Sequence, residues 1–286
     1  MKTILVPTDF SKNADNALKY AIEIAKEMKA KIILMNIYET PVYYADVAML
    51  SAQTDHLLFH NSALVEMKKY YSKISKTAGG IKIELIVQQG LASARIKEIA
   101  LEKKADLIVM GTTGKGALEK MLMGSNTTRI IRKAPCPLLI IPMKARYKGF
   151  KKIVYATDLK NDNLNNTKTL IPFAKTFNSE ILFLNINTRV LSVNKEDDLA
   201  KITKTIIKHV RYPKISGYVC NDVNVANGIN HFLKKHKADC LAMYTHQRNL
   251  LSNIFNPGIT KEVAVHTSVP LFVIHEKEHE LKKENS

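Results

Sequence analysis

The stretch Asp106-Leu107-Ile108-Val109-Met110-Gly111-Thr112-Thr113-Gly114 joins an apolar run to a glycine-rich loop, and Gly124-Ser125 follows after nine more residues. A short apolar run bounded by glycines is typical of a buried strand that ends in a loop. Glycines let the main chain approach an anion without an intervening Cβ, and the free N–H groups at a helix start favour negative charge. The stretch therefore predicts a phosphate-binding loop between a buried strand and a helix that begins at Gly124-Ser125.

The first half of the chain recurs in the second half. Three segments repeat: 2–9 as 151–158, 105–110 as 238–243, and 134–142 as 267–275. We predict two copies of one domain, at 1–143 and 151–276, with a linker at 144–150 and a charged tail at 277–286. The offset between the copies falls from 149 to 133 residues, so the second copy is shorter, and we place the missing residues around 40–75.

Both copies alternate short apolar runs with segments of helical periodicity. In the first copy, strands are predicted at 2–6, 31–38, 81–88, 106–110 and 138–141, and helices at 11–29, within 54–76, at 93–103 and at 125–133. In the second copy, strands are predicted near 152–156, 180–186, 214–220, 239–243 and 270–274. This order predicts an α/β protein with two tandem, open, five-stranded parallel sheets in a Rossmann-like arrangement, each covered by helices on both faces.

Composition narrows the class of protein. With 286 residues, 46% of them hydrophobic, each of two domains has enough apolar residues for its own core. No apolar stretch approaches the ~18 to 20 residues of a membrane span, and Asp9 interrupts the start too early for a secretory signal. The three cysteines have unrelated spacings and sit in or beside predicted strands, which indicates buried thiols and neither disulfides nor a zinc site. We expect a cytoplasmic protein.

The formal charge of +17 admits two interpretations, nucleic-acid binding or a positive field that attracts small anions. Many lysines fall near predicted helix ends or on solvent faces, where they complement the helix dipole. No basic motif with the aromatic residues of a known nucleic-acid module accompanies the charge. We therefore rank a solvated basic surface above nucleic-acid binding, which stays as an alternative.

The predicted binding site lies where strands end. In open parallel sheets, ligands bind beyond the carboxyl ends of the strands, and this edge receives Pro7-Thr8-Asp9, Asn36-Ile37 and Gly111. The second copy has Tyr244 in place of Gly111, Gln247 in place of Gly114, and Pro257-Gly258 in place of Gly124-Ser125. We predict that only the first copy binds a nucleotide, ATP or a relative of it.

These motifs resemble those of the universal stress protein family in its tandem, two-domain form. Three stretches carry the resemblance: Ile4 to Ser11, the Gly111-x2-Gly114-x9-Gly124-Ser125 loop, and Cys136 to Pro142. The resemblance implies a fold like that of the adenine nucleotide alpha hydrolases. The first copy has the complete loop of the subgroup that binds ATP, and the second copy is similar to the subgroup that lacks the glycines.

The resemblance also implies residue roles. Pro7, Thr8 and Asp9 would hold adenine and ribose, and the main chain of Ile37 would meet the adenine edge. Asn36 stands where the family often has His or Val. The remaining implied contacts are Met110 and Gly111 at the ribose, and Gly114, Gly124, Ser125, Asn126 and Thr127 at phosphates that carry Mg²⁺ or Mn²⁺.

The family resemblance further implies that domains pair through their last strands, here 138–141 and 271–274, and it leaves a homodimer open. The implied function is a stress-response regulatory protein. A slow ATPase or a nucleotidyl transferase on the same fold is the alternative, although the sequence names neither a catalytic base nor a positioned water. We assign no catalytic residue.

Several site residues have structural alternatives. The glycines could only shape a turn, Asp9 could cap the first helix, and the hydroxyls of Ser125 and Thr127 could only be helix caps. Lys115 and Lys120 are near the loop in sequence, but we favour solvated loop lysines and keep both only as second-rank candidates for phosphate contact. The H-E-x-x-H pattern at 275–279 lies in a charged tail, and the pair His56 and His60 lies on an ordinary amphipathic helix, so we assign no metal ligand among the side chains.

Overall fold

The computed structural model describes residues 1–39, 48–114, 124–159, 167–188, 195–245 and 267–275. Their helices and strands follow the order β1 (Thr3–Thr8), α1 (Lys12–Met28), β2 (Lys31–Tyr38), α2 (Ala48–Ile74), β3 (Ile83–Gln89), α3 (Ala92–Glu102), β4 (Leu107–Gly111), α4 (Ser125–Lys133), β5 (Leu138–Ile141), β6 (Lys152–Ala156), α5 (Leu170–Thr176), β7 (Glu180–Asn187), α6 (Lys195–Val210), β8 (Ile215–Asn221), α7 (Val225–His236), β9 (Cys240–Thr245) and β10 (Leu271–His275). The predicted α/β class is confirmed.

The strands form one sheet of ten, in the order β3-β2-β1-β4-β5-β10-β9-β6-β7-β8. All neighbours within each half are parallel. The halves meet at the one antiparallel pair of the described sheet, β5 with β10, where Leu139 lies opposite Phe272. The two predicted five-stranded sheets are therefore halves of a single, mostly parallel sheet.

Helices cover both faces of this sheet. On one face, α1, α2, α5 and α6 pack their apolar residues against the strands, and on the other face α3, α4 and α7 do so. Helix α1 begins where the hydroxyl of Ser11 accepts a hydrogen bond from the Ala14 N–H at 3.2 Å, as expected for a serine N-cap. Its buried residues include Ala17, Leu18 and Ala21, spaced for one helix face.

A buried asparagine crosslinks two strands at the same place in each half. The Asn36 Nδ2 donates to the Thr8 carbonyl at 2.8 Å, and the Asn185 Nδ2 donates to the Thr157 carbonyl at 2.8 Å. Both asparagines are buried, so each hydrogen bond satisfies a strand-end carbonyl that water does not reach. The two halves therefore share the same backbone arrangement, including this side-chain hydrogen bond.

The segment that joins the halves is held in place. The Asn16 Nδ2 donates to the carbonyls of Pro142 at 3.1 Å and Ala145 at 2.9 Å. Phe150 is 1% exposed and packs its ring at 5.0 Å from the rings of both Phe173 and Phe177. The segment predicted as a linker thus contributes a core residue to the second half.

The three cysteines are unpaired, but the expectation that all of them are buried is wrong, since Cys136 and Cys220 are partly exposed and only Cys240 is buried. Cys136, Cys220 and Cys240 are all free. Burial raises the pKa of the Cys136 thiol to about 12, which keeps it protonated and unreactive near neutral pH.

Within the described ranges, no helix combines the length and the apolarity that crossing a bilayer requires.

Replacing Phe272 by Lys tests the junction between the halves. Phe272 is fully buried and faces Leu139, so an ammonium there has no charged partner, and we expect the free energy of unfolding to fall by about 4 kcal/mol. Urea unfolding and small-angle scattering report stability and separation of the halves. The control Phe272→Leu keeps an apolar contact and should lose only about 1 to 2 kcal/mol. Equal unfolding midpoints and unchanged scattering for both variants would contradict the pairing.

Candidate functional site

A gap opens between two neighbouring strands of the first half. The ladder between β1 and β4 includes only Ile4 and Leu5 of β1, whereas pairing of β1 with β2 continues to Thr8. The Thr3 carbonyl accepts a hydrogen bond from the Asp106 N–H, so the backbone N–H and C=O groups of the odd-numbered residues of β1 point toward β4. Pro7 is one of these residues, and it has no N–H to extend the ladder. The strands therefore part at the switch point of the sheet, where ligands of open α/β sheets bind.

The second half closes the corresponding gap. It has Ala156 where the first half has Pro7, and the ladder between β6 and β9 continues through Ala156 opposite Met243. The next residue of β9, Tyr244, stands in the place of Gly111 and is 5% exposed. The strands that part in the first half thus stay paired in the second half, and a buried aromatic residue stands in the place of the first loop glycine.

The gap of the first half widens into a cavity of about 530 Å³. Its lining comes from the ends of β1, β2 and β4, the starts of α3 and α4, and the loop after β4. The lining residues are Pro7, Thr8, Asp9, Ala14, Ile37, Glu39, Ala92, Ile96, Met110, Gly111, Thr113, Gly114, Gly124, Ser125, Asn126 and Thr127. All eleven residues that the sequence analysis named for the nucleotide lie together in this lining.

Two glycines keep the cavity wall thin. A Cβ at Gly114 would lie 2.4 Å from the Asp9 Oδ2, and a Cβ at Gly111 would lie 2.7 Å from the Asn13 side chain. A Cβ atom does not approach a non-bonded heavy atom this closely, so a larger residue at either position displaces the neighbouring side chain. At Gly124 the nearest atom would be the Thr112 carbonyl oxygen at 3.5 Å, an ordinary contact. A side chain at Gly111 or Gly114 would therefore move Asn13 or Asp9 from its observed place, whereas Gly124 has room for a Cβ.

Asp9 is held in a turn between β1 and α1. Its Oδ1 accepts from the Ser11 N–H at 3.1 Å, and the Thr8 hydroxyl accepts from the Phe10 N–H at 3.0 Å. Phe10 has a φ of 60°, a left-handed conformation that these two bonds help to hold. Ser11, and not Asp9, provides the side-chain cap of α1. This arrangement fixes the Asp9 carboxylate at the cavity wall.

Helix α2, which packs on the same face of the sheet as α1, supports this turn. The Tyr70 hydroxyl of α2 donates to the Asp15 Oδ1 at 2.5 Å, and the Phe10 ring meets the Tyr70 ring edge-on at 5.2 Å. Burial and this hydrogen bond raise the pKa of Tyr70 above its ordinary value, so the hydroxyl remains a donor. Phe10, the strained residue next to Asp9, thus packs against the Tyr70 ring, which its hydrogen bond to Asp15 holds in place.

The start of α4 borders the opposite side of the cavity. Gly124 is its N-cap, no side chain caps the helix, and its first turn has no acidic residue. The first N–H groups of a helix have no intrahelical partners, so those of Ser125, Asn126 and Thr127 can receive an anion. The Thr127 hydroxyl donates to the Gly111 carbonyl at 3.1 Å, so Thr127 offers its main-chain N–H rather than its hydroxyl proton. The arrangement fits a phosphate chain opposite a carboxylate.

Sequence reasoning missed five lining residues, namely Ala14, Glu39, Ala92, Ile96 and Thr113. Four of them carry no polar signal or belong to ordinary helix and strand ends, and only Thr113, between the loop glycines, could have been named. Asn36 was named with Ile37, but its side chain crosslinks strands and does not line the cavity. Lys115, Lys120, Gln247, Pro257-Gly258 and most of the 275–279 pattern lie outside the described residues.

Comparisons with known proteins show the family and the fold of the chain. The family model described as the universal stress protein family matches residues 1–142. A universal stress protein of Methanocaldococcus jannaschii is 37% identical over 142 residues, which cover 49% of this chain and 81% of that protein. The solved structure of a universal stress protein from Archaeoglobus fulgidus superposes with a TM-score of 0.71 at 17% identity and covers 97% of both chains.

A solved structure from Pseudomonas aeruginosa superposes with a TM-score of 0.65 at 18% identity and covers all of this chain and 96% of its own. At such identities these two structures show the fold, including the double-length architecture. The sequence match to the archaeal relative goes further, because it spans four-fifths of that protein at 37% identity. The chain belongs to the universal stress protein family.

Proposed function

We propose that the first half of this stress-response protein binds an adenine nucleotide, ATP or its relatives AMP and ADP, and that the second half responds to it. The observation that carries the proposal is the pairing of a side-chain-free wall, made by Gly111 and Gly114, with the uncapped start of α4 across one cavity. A helix start and a glycine-lined wall together form a seat for phosphate groups.

The rest of the cavity suits a nucleoside. The apolar side chains of Ile37, Ile96 and Met110 offer a surface for a flat base, and Ile37 reaches the cavity wall one residue before the end of β2. The Asp9 carboxylate accepts hydrogen bonds, as ribose hydroxyls require. A volume of about 530 Å³ lies in the range of small-molecule sites.

A divalent cation belongs to this proposal as a companion of the phosphates. Within the described ranges, no group of three or more His, Cys, Asp or Glu residues is placed to hold a metal ion. Mg²⁺ keeps several water ligands and binds phosphate oxygens readily. We therefore assign Mg²⁺ or Mn²⁺ to the triphosphate and water, without a dedicated protein site.

The regulatory part of the proposal rests on α1. At one end of this helix, the Asn13 Nδ2 donates to the Thr112 hydroxyl and the Thr113 carbonyl, both at 3.1 Å, which ties α1 to the loop of the cavity. Asn16, one turn later, holds the joining segment, and Tyr20 meets the Tyr147 ring edge-on at 5.2 Å. One helix thus touches both the loop that would hold phosphate and the segment that enters the second half.

Pairing of the halves completes the proposal. The antiparallel neighbours β5 and β10 would hold the two domains together in solution, and each covers an edge that otherwise invites association. The second half, with its closed gap, then serves as the partner of the first. Free thiols at Cys136, Cys220 and Cys240 suit the reducing cytoplasm, and a homodimer of the whole chain is a further proposal.

Gly124→Val tests the phosphate seat. The backbone at Gly124 has φ −58° and ψ 147°, which valine adopts, but valine is a poorer N-cap residue than glycine, so we expect the melting temperature without ligand to fall by a few degrees at most. The added methyl groups would stand at the start of α4, and we expect the ATP dissociation constant to rise at least about tenfold by calorimetry. Adenosine, which has no phosphates, is the matched ligand and should bind both proteins alike. Equal ATP affinity in both proteins would contradict the seat.

Asn16→Ala tests the response of the second half. In the parent protein, we expect Mg-ATP to slow hydrogen exchange in the cavity loop, in residues 142–150 and in β10. In Asn16→Ala, which loses the two bonds to the joining segment, the cavity loop should still respond and β10 should not. Lys19→Ala, on the exposed face of the same helix, should behave like the parent. A full response of β10 in Asn16→Ala would rule out this route.

A further inference from the structure

A second cavity, of about 470 Å³, opens where the strands begin, at the opposite end of the strands from the nucleotide cleft. It lies between the end of α1, the start of β2 and the segment before β3. We call it the basic hollow, and its lining residues are Ala25, Lys26, Lys29, Ala30, Lys31, Gly79, Gly80, Ile81 and Lys82. Four of these nine residues are lysines, and none is acidic.

The second half shows why the hollow exists. Lys82 of the first half corresponds to Lys214 of the second, because their carbonyls accept from the equivalent N–H groups of Ile32 and Ile181. Counting back two residues from each lysine places Gly80 opposite Tyr212. The same place in the repeated frame therefore holds no side chain in one half and a tyrosine in the other.

Tyr212 fills the space that Gly80 leaves open. Its ring is 7% exposed, and its hydroxyl donates to the carbonyls of Ala174, at 3.4 Å, and Ser179. The equivalents of these two residues in the first half are Ala25 and Ala30, which both line the hollow. The hollow thus lies where the second half holds a buried aromatic side chain.

The charges around the hollow are incompletely balanced. Lys26 pairs with Glu23 at 2.7 Å, and Lys31 shares Glu84 at 3.4 Å with Lys103, at 2.9 Å. Lys103 and Lys31 hold the pKa of Glu84 below its ordinary value, so this one carboxylate serves two lysines. Within the described part of the chain, Lys29 and Lys82 form no ion pair. The hollow keeps a positive excess.

The corresponding charges of the second half are used by its own fold. Lys29 and Lys31 are replaced by Asn178 and Glu180. The Lys214 Nζ donates to the Asn178 Oδ1 at 2.7 Å, and the Lys175 Nζ, the equivalent of Lys26, donates to the Val210 carbonyl at 3.1 Å. The first half thus has four lysines around an open cavity, whereas the equivalent region of the second half is filled and has two lysines, both of which form hydrogen bonds.

The helix end beside the hollow does not oppose an anion strongly. Carbonyl groups at a helix C-terminus carry partial negative charge, but the Ala25 carbonyl accepts from the Ala30 N–H at 3.0 Å and the Lys26 carbonyl from the Lys29 N–H at 3.4 Å. Lysine ammonium groups are common phosphate ligands. The left-handed turn at Gly79 and Gly80 leaves the wall without side chains, and a Cβ at Gly80 would meet nothing within 4 Å.

We propose that the basic hollow is a second anion site, distinct from the nucleotide cleft, for a small molecule that carries several phosphate groups. Four lysines from three segments line a space large enough for such a ligand and too small for a folded partner. The proposal does not depend on the nucleotide cleft, because no residue is common to the two linings.

Inorganic tripolyphosphate is the probe, titrated by calorimetry at physiological salt into the full chain carrying Gly124→Val, in which we expect phosphate binding in the cleft to be weakened. We expect one saturable site, and shifts of the Gly79 and Gly80 amide resonances on saturation. Lys26→Gln with Lys82→Gln should raise the dissociation constant at least about tenfold. The equivalent pair of the second half, Lys175→Gln with Lys214→Gln, removes the same net charge and should change it less than about twofold.

Three results would overturn the proposal. Equal weakening by both lysine pairs would show that net charge, and not the hollow, attracts the probe. Absence of saturable binding in the Gly124→Val protein would show that there is no second site. Tight, steeply salt-dependent binding of a duplex oligonucleotide that displaces the probe would assign the lysines to nucleic acid instead.

Discussion

The cleft of the first half depends on the absence of two side chains. At Gly114 the carboxylate of Asp9 occupies the space of a Cβ, and at Gly111 the amide of Asn13 does so. These close approaches bring the β1 turn, the loop after β4 and the start of α1 together around one cavity. The missing N–H of Pro7 then keeps β1 and β4 apart. The cleft therefore forms where two side chains and one backbone N–H are absent, and it needs no additional helix or strand.

The two halves show how one frame supports different surfaces. Asn36 and Asn185 make the same buried hydrogen bond, and Phe10 and Leu159 share a left-handed backbone at the same turn. On this constant frame, an aromatic residue replaces a glycine twice: Tyr244 stands for Gly111 and Tyr212 for Gly80. In both cases the tyrosine is buried in the second half. The first half therefore has an open cavity at each end of its strands, and the second half is filled at the equivalent places.

Much of this structure follows from sequence pattern. Strands β2 and β5 and helix α4 begin and end where the periodicity predicts, because apolar runs and a glycine N-cap mark them directly. The eleven named site residues share one cavity because parallel strands end at a common edge. The split between β1 and β4, the crosslink by Asn36 and the buried role of Phe150 could not be predicted, since each depends on contacts between residues far apart in the chain. The domain boundaries and the nucleotide itself stay predictions.

The most direct test is a crystal structure of the full chain grown with excess Mg-ATP. We predict density for one nucleotide in the cleft of the first half, with phosphate oxygens within hydrogen-bonding distance of the N–H groups at the start of α4 and ribose hydroxyls at Asp9. The region between β6 and β9 should hold none. A first-half cleft that is empty at saturating ATP, or a nucleotide bound in the second half instead, would contradict this interpretation.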